Sequence, residues 1–521
     1  MGIVMNKREG IYLTASSISF VLVGRQQTDH ADSHAFDMPP PPVELSTTLS
    51  DLYSLDGGNA NDIALLYTIP APSQRPLSLS CPQSIKYAYQ SPRSTKVGPD
   101  TTARFVLGCM SQFYGFIAGQ MDLHLFDINA TVMERAYQTF SWTERSHRLD
   151  ARRTYERVQA SQRARLHFIE TPEQAVQLGQ AKKLATVSPM DFLDHDPQIT
   201  VVPQEAHWKM LSKRTLAESG LPTPPTEIIE SELVALSNGA AVDPVTNPFY
   251  QRGLSDPYAN VDFVPDKDVD KESARMLAPL TNRPVPFVVK LPHGYGGHAV
   301  FVVRDEQQRQ HCLNTLREQL PDFLPTCLLV QDLLPGKSIA LSFFVTKAGR
   351  AVFVSASEEV HNEAGSWTGG LMDYAAQDAL SAKYNDIINT VAAYVYEKGF
   401  YGPMGVDVMT DAQGKVYVID LNVRHTGSYT LGLMKRHFLE NHKLPFGGLL
   451  TPIPIMGDRD QFERRFADEI ESGRLVITAW CHGKAAGGLV TYSAAGMIAG
   501  AETREQLLEF MDRLNAITIK R

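Results

Sequence analysis

The segment "VYVIDLNVRHTG", residues 416–427, alternates apolar and polar positions and reads as a strand. Asp420, Asn422 and Arg424 occupy every second position, so a strand places them on one face. A second acid, Asp407, lies in "GVDVM" just upstream, and a turn at Ala412–Gly414 folds the two segments into a hairpin over 405–422. Two carboxylates and an amide oxygen are hard donors suited to Mg²⁺ held together with phosphate oxygens. A guanidinium two residues further on can grip a phosphate in bidentate fashion. The alternative is a solvated polar strand face.

A second stretch, "VVKLPHGYGGHAVFVV" (288–303), ends one strand at Lys290, turns through Gly294, Gly296 and Gly297, and starts another strand at Ala299. Glycines let backbone amides turn towards an anion, and Lys290 adds positive charge. A dinucleotide-binding fingerprint would lead into a helix, whereas this turn leads into a strand. The pattern fits a flap over phosphates, or else an ordinary hairpin. A third stretch, "LLVQDLLPGKSIALSFFV" (328–345), resembles a P-loop only at "PGKS", because Gln331 stands where the first glycine belongs. Its strand–step–turn suits either an adenine-reading edge or a plain connection.

These residues need rigid elements to hold them. The 521-residue chain, with 43% hydrophobic and 21% charged residues, has material for two to four domains. Its net charge of −9 and lack of a basic, aromatic-laced stripe argue against nucleic acid as a partner. Five scattered cysteines (Cys81, Cys109, Cys312, Cys327, Cys481) form no CxxC pair, so neither a disulfide framework nor a zinc site is expected, and a reducing cytoplasm fits. No apolar run nears the roughly 20 residues that span a bilayer. "YLTASSISFVLVGR" (12–25) reads as a buried strand rather than a signal peptide.

Residues 1–203 read as an N-terminal α/β domain. Its apolar segment 104–129 should be core, 154–169 and 171–185 carry helical periodicity, and "QITVVP" (198–203) reads as a strand. Residues 204–445 form the central domain, opening with a helix over 206–219 that Gly220 and Pro222 stop. Its 238–276 segment, rich in Asp, Asn, Pro and Gly, reads as a long, partly disordered loop. A lid is expected near 280–345 and a metal-binding half near 346–445, with a helix over 382–399. Residues 446–521 read as a small α/β extension with a closing helix at 503–517. The stretch 355–374, with Gly365, Gly369, Gly370, His361 and Trp367, reads as an acceptor-binding loop or a plain surface loop. His425, Thr426 and Ser428 continue past the metal hairpin, where they contact a substrate carboxylate or serve as caps and packing.

Taken in this order, the helix with "GLPTP", the "VVKLPHGYGG" flap, the "VQDLLPGKS" hinge and the "GVDVM…VYVIDLNVRHTG" hairpin resemble the ATP-grasp superfamily, in its carboxylate–amine ligase branch. The resemblance implies an ATP-grasp fold behind an N-terminal pre-ATP-grasp domain. Lys209 and Lys290 then resemble the two phosphate-binding lysines. Gln331, Asp332, Leu333 and Leu334 stand at the adenine hinge, and Ser338 at the ribose position. Asp407, Asp420 and Asn422 resemble the Mg²⁺ ligands, with Mn²⁺ as a substitute, and Arg424 the arginine that steadies the transferred phosphoryl group. Gln331, Ser338 and Asp420 depart from the usual Glu, acid and Glu at their positions. The implied reaction activates a carboxylate with ATP and joins it to an amine, with small-molecule acid and amine as partners and a homodimer as a compatible assembly. A biotin-carboxylase-like enzyme and a catalytically silent nucleotide-binding protein are the competing readings.

Overall fold

Strand-forming segments rich in β-branched and aromatic residues dominate the chain after residue 285, and they build two antiparallel sheets. The computed structural model describes residues 40–68, 100–127, 144–178, 182–232, 266–361, 367–485 and 490–517, apart from residues 295, 298 and 325. It also describes short pieces at 11–13, 18–20, 87, 89–90 and 140–141.

The smaller antiparallel sheet occupies much of the stretch expected as a lid. In spatial order its strands are Val300–Val303, Phe287–Lys290, Cys327–Asp332 and Thr226–Glu230. Helices Asp266–Thr281 and Glu306–Gln319 close its core, with Met276, Leu313 and Leu316 packed on Val289 and Val330. Residues 266–276 were expected to belong to a loop and are helical instead. The rest of that expected loop, 238–265, lies outside the described residues.

The larger sheet has nine antiparallel strands. It runs from the hairpin of Val416–Asn422 and Gly402–Thr410, through Ile339–Val345, Ala351–His361 and Trp367–Asp373, and on to Phe446–Met456, Val490–Ala501, Leu475–Ala485 and Phe140–Ser141. Helix Gln377–Glu397 covers one face, burying Ile388, Val391 and Val395. Two expectations change here. The stretch 355–374 is mostly the paired strands Ala351–His361 and Trp367–Asp373, with residues 362–366 outside the description. The tail from 446 does not stand apart: its three strands continue the sheet that carries the 402–422 hairpin.

The N-terminal sheet is parallel, in the order Arg165–Ile169, Asp122–Phe126, Ile63–Leu66 and Lys183–Thr186. Helix Asp100–Gly115 supplies much of the expected core. A helix apolar on most sides must be covered on most sides, and this one lies between the parallel sheet and the C-terminal strands. Gln112 both donates to the Trp480 carbonyl and accepts from the Trp480 amide, each at 3.1 Å. Several expected boundaries shift. The helical segment 154–169 holds only the end of helix Glu144–Glu156, then strand Arg165–Ile169. The helix expected over 171–185 is Pro172–Leu178 followed by strand Lys183–Thr186. Residues 198–203 make one bridge, Leu184 to Thr200, and no strand. Residues 11–13 and 18–20 pair as a hairpin, and the remainder of the strand expected over 12–25 lies outside the described residues. Cys109, Cys312, Cys327 and Cys481 are buried free thiols, while Cys81 lies outside the described residues. No described helix is long and apolar enough to cross a membrane.

Candidate functional site

The hairpin register settles how its polar residues meet. Asp407 is the direct cross-strand partner of Asp420, and Gly405 of Asn422. A β-bulge follows Asp407 and re-aims the strand. Asn422 Nδ2 donates to Asp407 Oδ2 at 3.0 Å, and Arg424 Nη2 donates to Asn422 Oδ1 at 2.9 Å. Asp407, Asn422 and Arg424 are therefore joined by hydrogen bonds, with Asp420 opposite Asp407 across the strand pair. Like charges directly opposite across a strand pair repel. Burial first, then the nearby Glu359 and Asp420 carboxylates, push the Asp407 carboxyl well above the usual range.

Glu359 went unnoticed in the sequence. It extends from strand Ala351–His361, accepts a hydrogen bond from the Ser338 hydroxyl, and is itself pushed up by burial, with Asp420 adding to the effect. Its neighbour Glu358 faces Arg504 at 2.7 Å. The two adjacent acids thus divide between the two faces of a strand. Reading 355–374 as a loop hid that alternation. Ser338, expected at the ribose position, is engaged with this carboxylate.

Two lysines reach the group. Lys290 ends its strand with Nζ donating to the Ile419 carbonyl at 2.7 Å, bridging the smaller sheet to the 402–422 hairpin. Burial lowers its ammonium to about 8, helped by repulsion from Lys213 and opposed by Asp420 and Asp407. The second lysine is Lys213, whose Nζ lies 2.9 Å from Asp420 Oδ1 with only 6% of the side chain exposed. Lys209, the expected residue, is 43% exposed and pairs with Glu205 at 3.0 Å. The reason is a break in the expected helix. Gln204–Met210 ends and Lys213–Ala217 begins anew, so a spacing of four residues no longer shares a face. The Lys213 amide also donates to the Pro292 carbonyl at 2.9 Å, joining it to the root of the flap.

The flap is anchored where it leaves the lid. His293 stacks on Trp208 with ring centroids 3.8 Å apart and planes 2° apart. Gly296 and Gly297 have φ of +61° and +83°, which only glycine adopts readily. A Cβ at Gly294 would overlap that of Ala299. At the hinge, Gln331 is buried with Nε2 donating to Thr226 Oγ1 at 2.8 Å, while Asp332 is exposed and Leu333 and Leu334 are half-buried. The turn at Pro335–Gly336 follows, with Gly336 at φ +114°.

Of the residues expected to meet substrate, His425 is 2% exposed and ringed by Tyr67, Tyr114 and Tyr429 at centroid distances of 5.5, 5.3 and 5.3 Å. Thr426 and Ser428 share a hydroxyl contact of 3.3 Å at the start of helix Gly427–Leu433. Trp367 lies against Gly427 so closely that a Cβ there would overlap its ring. His361 is exposed at its strand end and acts electrostatically on Glu359.

Among the described residues no three His, Cys, Asp or Glu side chains are grouped to hold a metal by themselves. The donor set here is two carboxylates and an amide. At Asp407 burial and the neighbouring carboxylates outweigh Asn422 and Arg424, and that is the environment a divalent cation relieves, so these residues fit the ion.

An antiparallel sheet bearing a glycine flap, over a sheet bearing an Asp–Asp–Asn–Arg hairpin, is an arrangement suited to a nucleotide's phosphates, and over part of its length the chain is similar to proteins of the ATP-grasp type. The family model described as L-aspartate–L-methionine ligase, ATP grasp, matches residues 269–422. Among curated proteins, the [butirosin acyl-carrier protein]–L-glutamate ligase of Niallia circulans is 22% identical over 241 residues, covering 45% of this chain and 55% of the relative. The chain thus matches about half the length of that relative. Among solved structures, the L-amino acid ligase from Bacillus licheniformis is 13% identical, covers 66% of this chain and 82% of its own, and has a TM-score of 0.39. Biotin carboxylase from Campylobacter jejuni is 11% identical over 68% of this chain and 81% of its own, also with a TM-score of 0.39.

Proposed function

We propose that the protein is an ATP-dependent ligase that activates a carboxylate as an acyl phosphate and transfers the acyl group to an amine, releasing ADP and phosphate. The observation that carries this reading is the pairing of Lys213 with Asp420 beside the linked set Asp407–Asn422–Arg424, brought together by the Asp407–Asp420 cross-strand pair, with Lys290 next to them. Phosphoryl transfer asks mainly for charge neutralisation and alignment. Lys213 and Lys290 supply positive charge from the lid side, and Arg424 supplies it beyond the metal hairpin. Asp407, Asp420 and Asn422 would hold Mg²⁺, which when bound neutralises charge on the phosphate oxygens. The carboxylate oxygen attacks the γ-phosphorus as the bond to the ADP oxygen breaks. The amine then attacks the acyl carbon, loses a proton, and phosphate leaves. The flap at 293–298 excludes water and so protects the acyl phosphate.

A catalytically silent nucleotide binder has no need of this set of cations and carboxylates. The reaction places the protein among small-molecule acids and amines, and a reducing cytoplasm suits its unpaired thiols. The test is ADP formation with pooled acids and amines. This reading expects ADP formation that depends on both acid and amine and is abolished in a folded Asp420→Ala variant. ADP formation with no acid or amine requirement, or undiminished in Asp420→Ala, would refute it.

A further inference from the structure

A short segment of the N-terminal region, Tyr87, Tyr89 and Gln90, runs from the N-terminal domain to the root of the glycine flap. Its first residue is fixed to the N-terminal domain. The Tyr87 amide donates to Asp191 Oδ1 at 3.2 Å, and the Tyr87 hydroxyl donates to Asp194 Oδ1 at 2.6 Å. Asp191 and Asp194 belong to a turn whose Met190 and Leu193 pack in the core of the parallel sheet with Leu66 and Leu184. Its last residue is fixed to the smaller antiparallel sheet. The Gln90 amide donates to the His293 carbonyl at 2.7 Å, and Gln90 Oε1 accepts from the His293 amide at 3.2 Å. Gln90 Nε2 donates to Thr326 Oγ1 at 2.6 Å, one residue before strand Cys327–Asp332.

Between the two ends, Tyr87 and Tyr89 pack edge-on against Trp208, with ring centroids 5.6 and 5.0 Å away. The same Trp208 stacks on His293, and its carbonyl accepts from His293 Nε2 at 3.2 Å. All four rings are buried. Residues 291–293 are thus pinned one after another. The Leu291 amide donates to the Ala299 carbonyl at 2.9 Å, the Pro292 carbonyl accepts from the Lys213 amide, and His293 is held by Gln90 and Trp208. Lys290 lies immediately before this run, and Lys213 is one of the residues that pin it. A displacement of about 1 Å in groups that align a reaction can cost on the order of 10² in rate, so the hold on 291–293 bears on both lysines.

Resting on the ligase reading, we infer that Tyr87, Tyr89 and Gln90 form a strap that ties the smaller sheet and the flap root to the N-terminal domain, and that Gln90 is a positioning residue for the phosphate-facing Lys290 and Lys213. Gln90 acts through the main chain of His293, which it grips at both the amide and the carbonyl. Among the described residues the four strands of the smaller sheet pair with neither of the larger sheets. Its placement over the 402–422 hairpin therefore depends on ties of this kind, and the strap is the one that reaches the N-terminal domain's own core.

The experiment compares Gln90→Ala, Tyr87→Phe and the double variant of the full chain by hydrogen–deuterium exchange and by titration calorimetry of a non-hydrolysable ATP analogue with Mg²⁺. Tyr87→Phe alters the end of the strap away from the flap. The inference expects it to raise exchange in the peptide carrying the His293 amide and to weaken analogue binding about three- to tenfold, the scale of one or two lost hydrogen bonds. Gln90→Ala should do the same. The double variant should be no more than about twofold worse than the worse single variant, because either cut releases the strap. Gln90→Glu keeps an acceptor for the His293 amide and for the Thr326 hydroxyl, and should bind within about twofold of the unaltered protein. Losses that multiply in the double variant overturn the strap, as does a Tyr87→Phe variant with unmoved exchange at His293. A lowered melting temperature with unmoved analogue affinity overturns the positioning role. These readouts need neither acid nor amine, so they judge the strap separately from the ligase reading, which ADP formation judges.

Discussion

Replacing Lys213 with alanine should damage the reaction far more than the same change at Lys209, although the two are four residues apart. Lys213 Nζ lies 2.9 Å from Asp420 Oδ1 and the side chain is 6% exposed, so its charge acts in a water-poor site facing the phosphates. Removing one aligned electrostatic donor from such a site typically costs about 10²–10³ in turnover, or roughly 3–4 kcal/mol of transition-state stabilisation. Lys209 pairs with Glu205 on the same helix at 43% exposure. Exposed pairs of that kind contribute about 0.3–0.5 kcal/mol to stability and nothing aimed at the chemistry. Steady-state ADP release with saturating ATP should therefore fall by about two orders of magnitude or more in Lys213→Ala and stay within about twofold in Lys209→Ala. Lys213→Arg should recover part of the loss by restoring the charge, which a purely structural defect would not allow. Equal losses in the two alanine variants, or a larger loss at Lys209, would refute the assignment of the phosphate-facing lysine.

Other outcomes follow from the same geometry. Because Lys290 in the free protein loses its proton near 8, kcat/KM for ATP should fall as pH rises through that value, and Lys290→Arg should move the falling limb upward. A limb that does not move would separate it from Lys290. Asp407 is held above its unfolded value, so the folded, metal-free protein retains a proton that the unfolded chain has released. Its contribution to stability is then fully present below the unfolded carboxyl's pKa and is lost as pH rises from there through the raised value. Melting in chelator should show that loss, Asp407→Asn should flatten it, and Mg²⁺ should bind more tightly at higher pH. An unchanged slope in Asp407→Asn would assign the dependence elsewhere. Gly294→Ala forces the flap away from Ala299, so ADP formation should become less dependent on amine as water reaches the acyl phosphate. Unchanged coupling in that variant would remove the flap from water exclusion.

The parts visible in sequence are those set by local periodicity. The metal hairpin announced itself because period-two alternation, a short turn and polar residues on one face all fall within 18 residues of chain, 405–422. The lid strands and the glycine turn were legible for the same reason. What sequence missed depends on pairing at a distance or on a break in a periodic pattern. Lys213 faces Asp420 because the helix stops at Met210 and restarts at Lys213, and no strong breaker marks that point. Glu359 joins the site because its strand pairs through Ile339–Val345 to the metal hairpin, and a glycine-rich flank at 365–370 masked the strand alternation. The tail reads locally as a separate unit, but Phe446–Met456 pairs with Trp367–Asp373 and so continues the sheet. In the N-terminal domain, the parallel strand Arg165–Ile169 is five residues long and follows a real helix, so the helical pattern appeared to run through it.

The account depends on Asp407, Asp420 and Asn422 forming, with a divalent cation, the seat of a nucleotide's phosphates. Titration calorimetry of a non-hydrolysable ATP analogue, with and without Mg²⁺, into the intact protein and a folded Asp420→Ala variant tests it most directly. The expected result is Mg²⁺-dependent binding to the intact protein that weakens at least tenfold in the variant. Binding of equal strength without the metal, or undiminished in Asp420→Ala, would contradict it.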